Sequence, residues 1–92
     1  MSTLSLVKHA TRSTLNALSP LLERIRTYEE LVERSPGVFY RKSKPFLHFH
    51  EDPAGIFADV RLMSDEEFTR FQVNSSELQS TFLSHVEAAL SR

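Results

Sequence analysis

The sequence predicts an α+β fold in a single two-layer domain. Helices at both ends of the chain cover one face of an antiparallel meander of three or four strands. Three observations carry this. Apolar residues recur at helical spacing over 5–35 and again over 65–90. Between them, residues 38–62 switch to aromatic and β-branched types. Asp52-Pro53-Ala54-Gly55 places a turn inside that stretch, with Asp first, Pro second and Gly fourth, as a type I turn prefers. A length of 92 residues makes 1–92 one domain.

The first helix is predicted over 5–18, where Leu4, Val7, Leu15 and Leu18 fall near one stripe. Ser19-Pro20 opens a second helix, with Ser as N-cap and Pro at the first helical position. Leu21, Leu22, Ile25, Tyr28, Leu31 and Val32 form its apolar face, and Pro36-Gly37 ends it. Strands follow at Val38–Arg41, Phe46–His50 and Ile56–Leu62. The Asp52–Gly55 turn pairs Glu51 with Ile56, Phe49 with Ala58, His48 with Asp59 and Leu47 with Val60. Ser64-Asp65-Glu66-Glu67 has the form of a capping box opening a short helix to Phe71, with a brief strand at Phe71–Val73 as the alternative. Ser76 and Gln79 repeat the capping pattern before a last helix over 77–90, carrying Leu78, Phe82, Val86, Ala89 and Leu90.

Composition excludes several functions. With no cysteine there is no disulfide framework, thiolate zinc site or thiol nucleophile. No apolar run approaches the ~20 residues of a bilayer span, and a net charge of −1 is unsuited to general nucleic-acid binding. The expected setting is cytoplasmic and off the membrane. The basic, Ser/Thr-rich start, with Lys8 and Arg12 and no acid before Glu23, also fits an organelle-targeting segment. Charge is graded along the chain: residues 45–92 hold three Arg against eight acids, whereas the preceding residues are net basic.

The candidate functional surface is the sheet face turned away from the helices. If Leu47, Phe49, Ala58, Val60 and Leu62 meet the helices, the other face shows Phe46, His48, His50, Phe57, Asp59 and Arg61. Phe39 and Arg41 join it if the first hairpin keeps the same parity. Three phenylalanines are too many for a solvated face. Burying them at ~25 cal/mol per Å² supplies a gross term of about 11–15 kcal/mol per subunit, enough to hold a homodimer together. The leading reading is therefore a non-enzymatic binding or interaction module, homodimeric through this aromatic face, taking a protein or small-ligand partner.

The alternative reading is a divalent-metal or hydrolytic site. His48 and His50 stand two apart on a strand, so both imidazoles point the same way, with Asp59 as the third ligand. Glu51 falls on the opposite parity. His48 opposite Asp59 also resembles a base with its orienting carboxylate, but no phosphate loop or nucleophile elbow accompanies it. Single-strand nucleic-acid binding is a second alternative. Phe39, Arg41, Phe46 and Arg61 mix aromatic and basic types, and Arg41-Lys42-Ser43-Lys44 adds positive charge, while Asp59 and Glu51-Asp52 oppose it. His9 and His85 read as helical residues beside apolar stripes, without partners.

Overall fold

A computed structural model describes residues 8–63 and 66–92. In chain order the elements are β1 (Lys8–His9), α1 (Arg12–Ala17), α2 (Ser19–Arg26), β2 (Leu31–Ser35), β3 (Val38–Arg41), β4 (Lys44–Asp52), β5 (Gly55–Val60), β6 (Thr69–Gln72) and α3 (Ser76–Leu90). The α+β single domain is as predicted, with more strands. The sheet runs β2-β3-β4-β5-β6, every neighbouring pair antiparallel, and β1 adds to β4.

The centre of the sheet is the predicted hairpin, in the predicted register from Leu47↔Val60 through Phe49↔Ala58 to Glu51↔Ile56. Its loop is tighter than four residues, because Asp52 also pairs with Gly55. Asp52 Oδ1 accepts from the Ala54 N–H at 2.8 Å, the local bond that makes Asp a turn-former. Leu47, Phe49, Ala58 and Val60 are buried toward the helices. There they meet Leu21, Leu22 and Ile25 of α2 and Phe82, Val86 and Ala89 of α3. Glu87 joins the two helices, accepting from Arg24 Nη2 at 3.1 Å and Tyr28 Oη at 2.5 Å.

The helical predictions before residue 36 need correction. Residues 1–7 lie outside the described residues, and Lys8–His9 is a strand rather than part of a helix over 5–18. Thr11 caps α1 in an extended conformation, its side chain accepting from the Thr14 N–H at 3.2 Å. The chain before it therefore runs straight. β3 pairs with residues 44–47 of β4 only, which leaves the far end of that edge open. β1 fills it, Lys8 opposite Glu51 and His9 opposite His50. Glu51 Oε1 then accepts from the Thr11 N–H at 2.6 Å.

The second helix is shorter than predicted, ending at Arg26, and Leu31–Ser35 is a strand. Its start also differs: Leu18 is the N-cap, without a side-chain bond, and Ser19 Oγ donates to the Asn16 carbonyl. Pro36-Gly37 is a hairpin turn joining β2 to β3, not a helix stop. Gly37 sits at φ 75°, which a Pro-Gly turn of type II requires at its third position. Leu31 and Val32 fit a helical stripe by spacing, but the strand lets β2 pair along β3.

Two further differences lie in the second half. Ser64 and Asp65 of the proposed capping box are outside the described residues; Glu66–Phe68 is irregular, and Thr69–Gln72 is the strand held as the alternative, two residues earlier than placed. The last helix begins at Ser76, capped by Ser75, whose hydroxyl accepts from the Leu78 N–H at 3.2 Å. Leu78 is exposed rather than packed.

Candidate functional site

The uncovered sheet face holds fewer phenylalanines than parity predicts. The register of β3 against β4 shifts by one, from Phe39↔Leu47 to Tyr40↔Pro45, leaving Phe46 as an extra, bulged residue. The bulge turns consecutive Phe46 and Leu47 both into the core. Phe39, opposite Leu47, is buried there too. Arg41 follows Phe39 to the helix side, donating from Nη1 to the Ala89 carbonyl at 3.2 Å. Phe39, Arg41 and Phe46 are therefore corrected off this face. Phe57 remains on it, half-buried, with the Arg70 guanidinium 5.8 Å from its ring centre. The aromatic surface on which the homodimer rested is reduced to that one ring of the three.

What gathers on the face is histidine. His48 and His50 of β4 point the same way, and β1 lays His9 opposite His50. The His9 and His50 rings stack at 5.1 Å, and His48 meets His50 edge-on at 4.7 Å. One ring nitrogen from each of His9, His48 and His50 lies within 4.8 Å of the others. His9 is exposed and the other two are half-buried, so the trio opens to solvent on the His9 side. Phe68 closes the opposite side, edge-on to His48 at 4.7 Å, and Arg61 lies over Phe68 at 4.6 Å.

Asp59 orients the group. It is opposite His48 in register, as predicted, but its carboxylate reaches diagonally to His50 Nε2 at 3.1 Å. Arg70 clamps both oxygens, Nε to Oδ1 at 2.8 Å and Nη2 to Oδ2 at 3.0 Å. Burial, the strongest single influence on Asp59, pushes its pKa up. The hydrogen bonds and charge of Arg70, with His50 and His48, outweigh that and hold the carboxyl below its usual range. With both oxygens engaged, Asp59 is placed as a partner of His50 rather than as a third ligand.

Asp59 Oδ2 faces Nε2 of His50 at 3.1 Å, which leaves Nδ1 as the ring nitrogen turned to other partners. Nδ1 of His50 and Nδ1 of His48 are both buried without a hydrogen-bond partner among the described residues. Burial lowers the His48 pKa, reinforced by the neighbouring His50 and His9 and opposed by Asp59. A neutral imidazole with an unused lone pair is the form that binds a transition metal. Two buried, unpartnered nitrogens otherwise cost roughly 1–3 kcal/mol each.

His9, Arg70 and Phe68 are the members that sequence reasoning missed. All three lie in segments read as helix. The signal for His9 was the capping Thr11, which marks where the helix starts and so where the preceding chain is extended. Among the described residues no helix is long and apolar enough to cross a membrane. No protein-family profile, curated protein or solved structure matches the chain, so its function is argued from its own side chains.

Proposed function

We propose that the protein binds a divalent transition metal ion, of the zinc or nickel class, through His9, His48 and His50. The observation that carries this reading is the convergence of three imidazoles from two strands, with Nδ1 of His48 and of His50 buried and lacking a hydrogen-bond partner among the described residues. Neutral imidazole is a borderline-soft ligand, suited to zinc, nickel, copper and cobalt rather than to magnesium or calcium. Asp59 supports the set from behind, holding His50 through Nε2 while Arg70 holds Asp59. This is the carboxylate–histidine–metal relay that fixes ring orientation and raises ligand basicity. Three nitrogen ligands leave a fourth tetrahedral position for water or a partner's side chain, on the side where His9 is exposed.

The test is titration of the chelator-treated protein with Zn²⁺ and Ni²⁺ by calorimetry, with Co²⁺ absorption reporting geometry. One ion per chain is expected, with a tetrahedral Co²⁺ spectrum. His50→Ala and His9→Ala should each weaken binding at least tenfold. Asp59→Asn, which removes the orienting charge, should weaken it about 10–100-fold. Unchanged binding in a His9→Ala/His48→Ala/His50→Ala variant that still folds would overturn the reading.

A further inference from the structure

A second site lies away from the histidines, on the helix side of the sheet. A half-open cavity of about 450 Å³ sits between the β3–β4 turn and the last turn of α3. That size is typical of pockets that hold one small molecule. Arg41, Lys42, Lys44, Arg61 and Arg92 surround it, and its lining contains no Asp or Glu. The arginines Arg24, Arg26 and Arg70 pair with carboxylates elsewhere, whereas these five cations have no carboxylate side-chain partner among the described residues. The cavity also presents an apolar lining from Phe46, Leu62 and Met63.

Two of the cations are held in place by backbone. Arg41 donates to the Ala89 carbonyl at 3.2 Å and to the main-chain oxygen of Arg92 at 3.4 Å, covering the negative end of α3 that would otherwise repel an anion. Arg92 donates to the Leu62 carbonyl at 3.0 Å. Nε of Arg41 and Nε of Arg61 are buried without a hydrogen-bond partner among the described residues. Arg61 also lines a separate, shallower surface with Glu66, Glu67 and Phe68. Lys42 and Lys44 are exposed at the rim.

We propose that this cavity binds a small organic anion, a carboxylate or phosphate monoester carried on an apolar body. The cations and the lining each demand one half of that description. Charge alone would be met by inorganic phosphate, but phosphate leaves Phe46, Leu62 and Met63 uncovered. An apolar molecule alone would bring no charge to the five cations. A nucleic-acid strand needs a basic track along its backbone, whereas three of the five arginines beyond this cavity, Arg24, Arg26 and Arg70, are tied up in ion pairs at Glu23, Glu33, Glu87 and Asp59, and Arg34 lies over the Tyr40 ring.

The experiment is calorimetric titration of the full chain with octyl phosphate, octanoate, octanol, inorganic phosphate and a ten-residue oligothymidylate. Octyl phosphate or octanoate should bind at least tenfold tighter than octanol and inorganic phosphate, and whichever leads identifies the headgroup. Lys42→Gly combined with Lys44→Glu should weaken that ligand about tenfold, with the melting temperature unchanged within a few degrees. Met63→Ser, a change at a partly exposed side chain, should weaken the octyl ligands and leave inorganic phosphate alone. Octanol binding as tightly as octanoate, or the lysine variant binding unchanged, would overturn the proposal. Tighter binding of the oligonucleotide than of octyl phosphate would overturn it in favour of nucleic acid. None of these residues belongs to the histidine trio, so failure of the metal titration leaves this test standing.

Discussion

Glu33 concentrates more local structure than any other single carboxylate in the first half of the chain. It accepts from Arg26 Nε at 2.7 Å and Nη2 at 2.9 Å, tying β2 to the end of α2, and from the Gly37 N–H at 2.9 Å, closing the Pro-Gly turn. The Arg26 hydrogen bonds lower its pKa, helped by the Gly37 N–H and the Arg26 charge and opposed by burial. A carboxyl whose folded pKa lies below its unfolded value of about 4.3 adds stability that is present above that value. The contribution is lost as pH falls through the lower folded value. Glu33→Gln should therefore destabilise by about 0.5–1 kcal/mol at pH 7, a discounted figure because Arg26 stays solvent-accessible. Urea melts at pH 7 and pH 3 check the sign: the gap from wild type should be smaller at the lower pH, and a gap of constant size would refute the linkage. Glu33 and Arg26 are seven residues apart, close to two helical turns, and no spacing in the sequence foretells an ion pair between a helix and a strand.

The β3–β4 turn is the element in which local sequence and local geometry disagree. Lys42 and Ser43 take φ of 52° and 67°, the left-handed pair that tight hairpins use, without the Asn-Gly chemistry that suits it. The residues between Arg41 and Phe46 include no Gly, Asn or Asp to favour those angles, and the structure centres the turn on Lys42-Ser43 and keeps the strain. Replacing the pair by Lys42→Asn with Ser43→Gly should stabilise by about 0.5–1.5 kcal/mol, read as a higher urea midpoint at unchanged slope. A lower midpoint would mean that the basic turn makes contacts the strain argument omits. The bulge at Phe46 beside this turn was equally invisible in the sequence. Strict alternation along Phe46-Leu47-His48-Phe49-His50 predicts Phe46 on the histidine face, and one extra residue reverses it. By contrast, the β4–β5 hairpin was legible residue by residue, because its Asp-Pro-Ala-Gly turn and its alternating apolar residues specify the same register.

At the scale of the whole molecule, the core is one layer between the sheet and two helices. The Cα radius of gyration of 12.8 Å is close to the ~12 Å expected for a domain of this length. Phe82 is the central piece, fully buried, with Phe49 and Phe71 packed against its ring at 6.5 and 5.6 Å. Phe82→Ala should cost about 3–5 kcal/mol, a large share of the total for a 92-residue domain. Thermal unfolding checks this, and a loss under 1 kcal/mol would mean that α3 repacks without its anchor. The charge gradient of the sequence is only partly neutralised by folding. Arg24–Glu87 joins the two halves, while Arg26 pairs within the first and Arg70 within the second. Arg41, Lys42 and Lys44 line the cavity.

By itself the sequence determined the fold class, the central hairpin with its register, the apolar face of the sheet and the nearness of His48, His50 and Asp59. Each of these depends on a local turn or on a period of two, and both are written along the chain. Tertiary structure alone decided that Lys8–His9 and Leu31–Ser35 are strands and that Phe39 and Phe46 belong to the core. It also decided that His9 completes the histidine cluster. Those outcomes turn on which edge of β4 was left open and where the register slips. An edge is satisfied by whichever segment can reach its hydrogen-bonding groups, and the spacing of apolar residues within that segment does not record it.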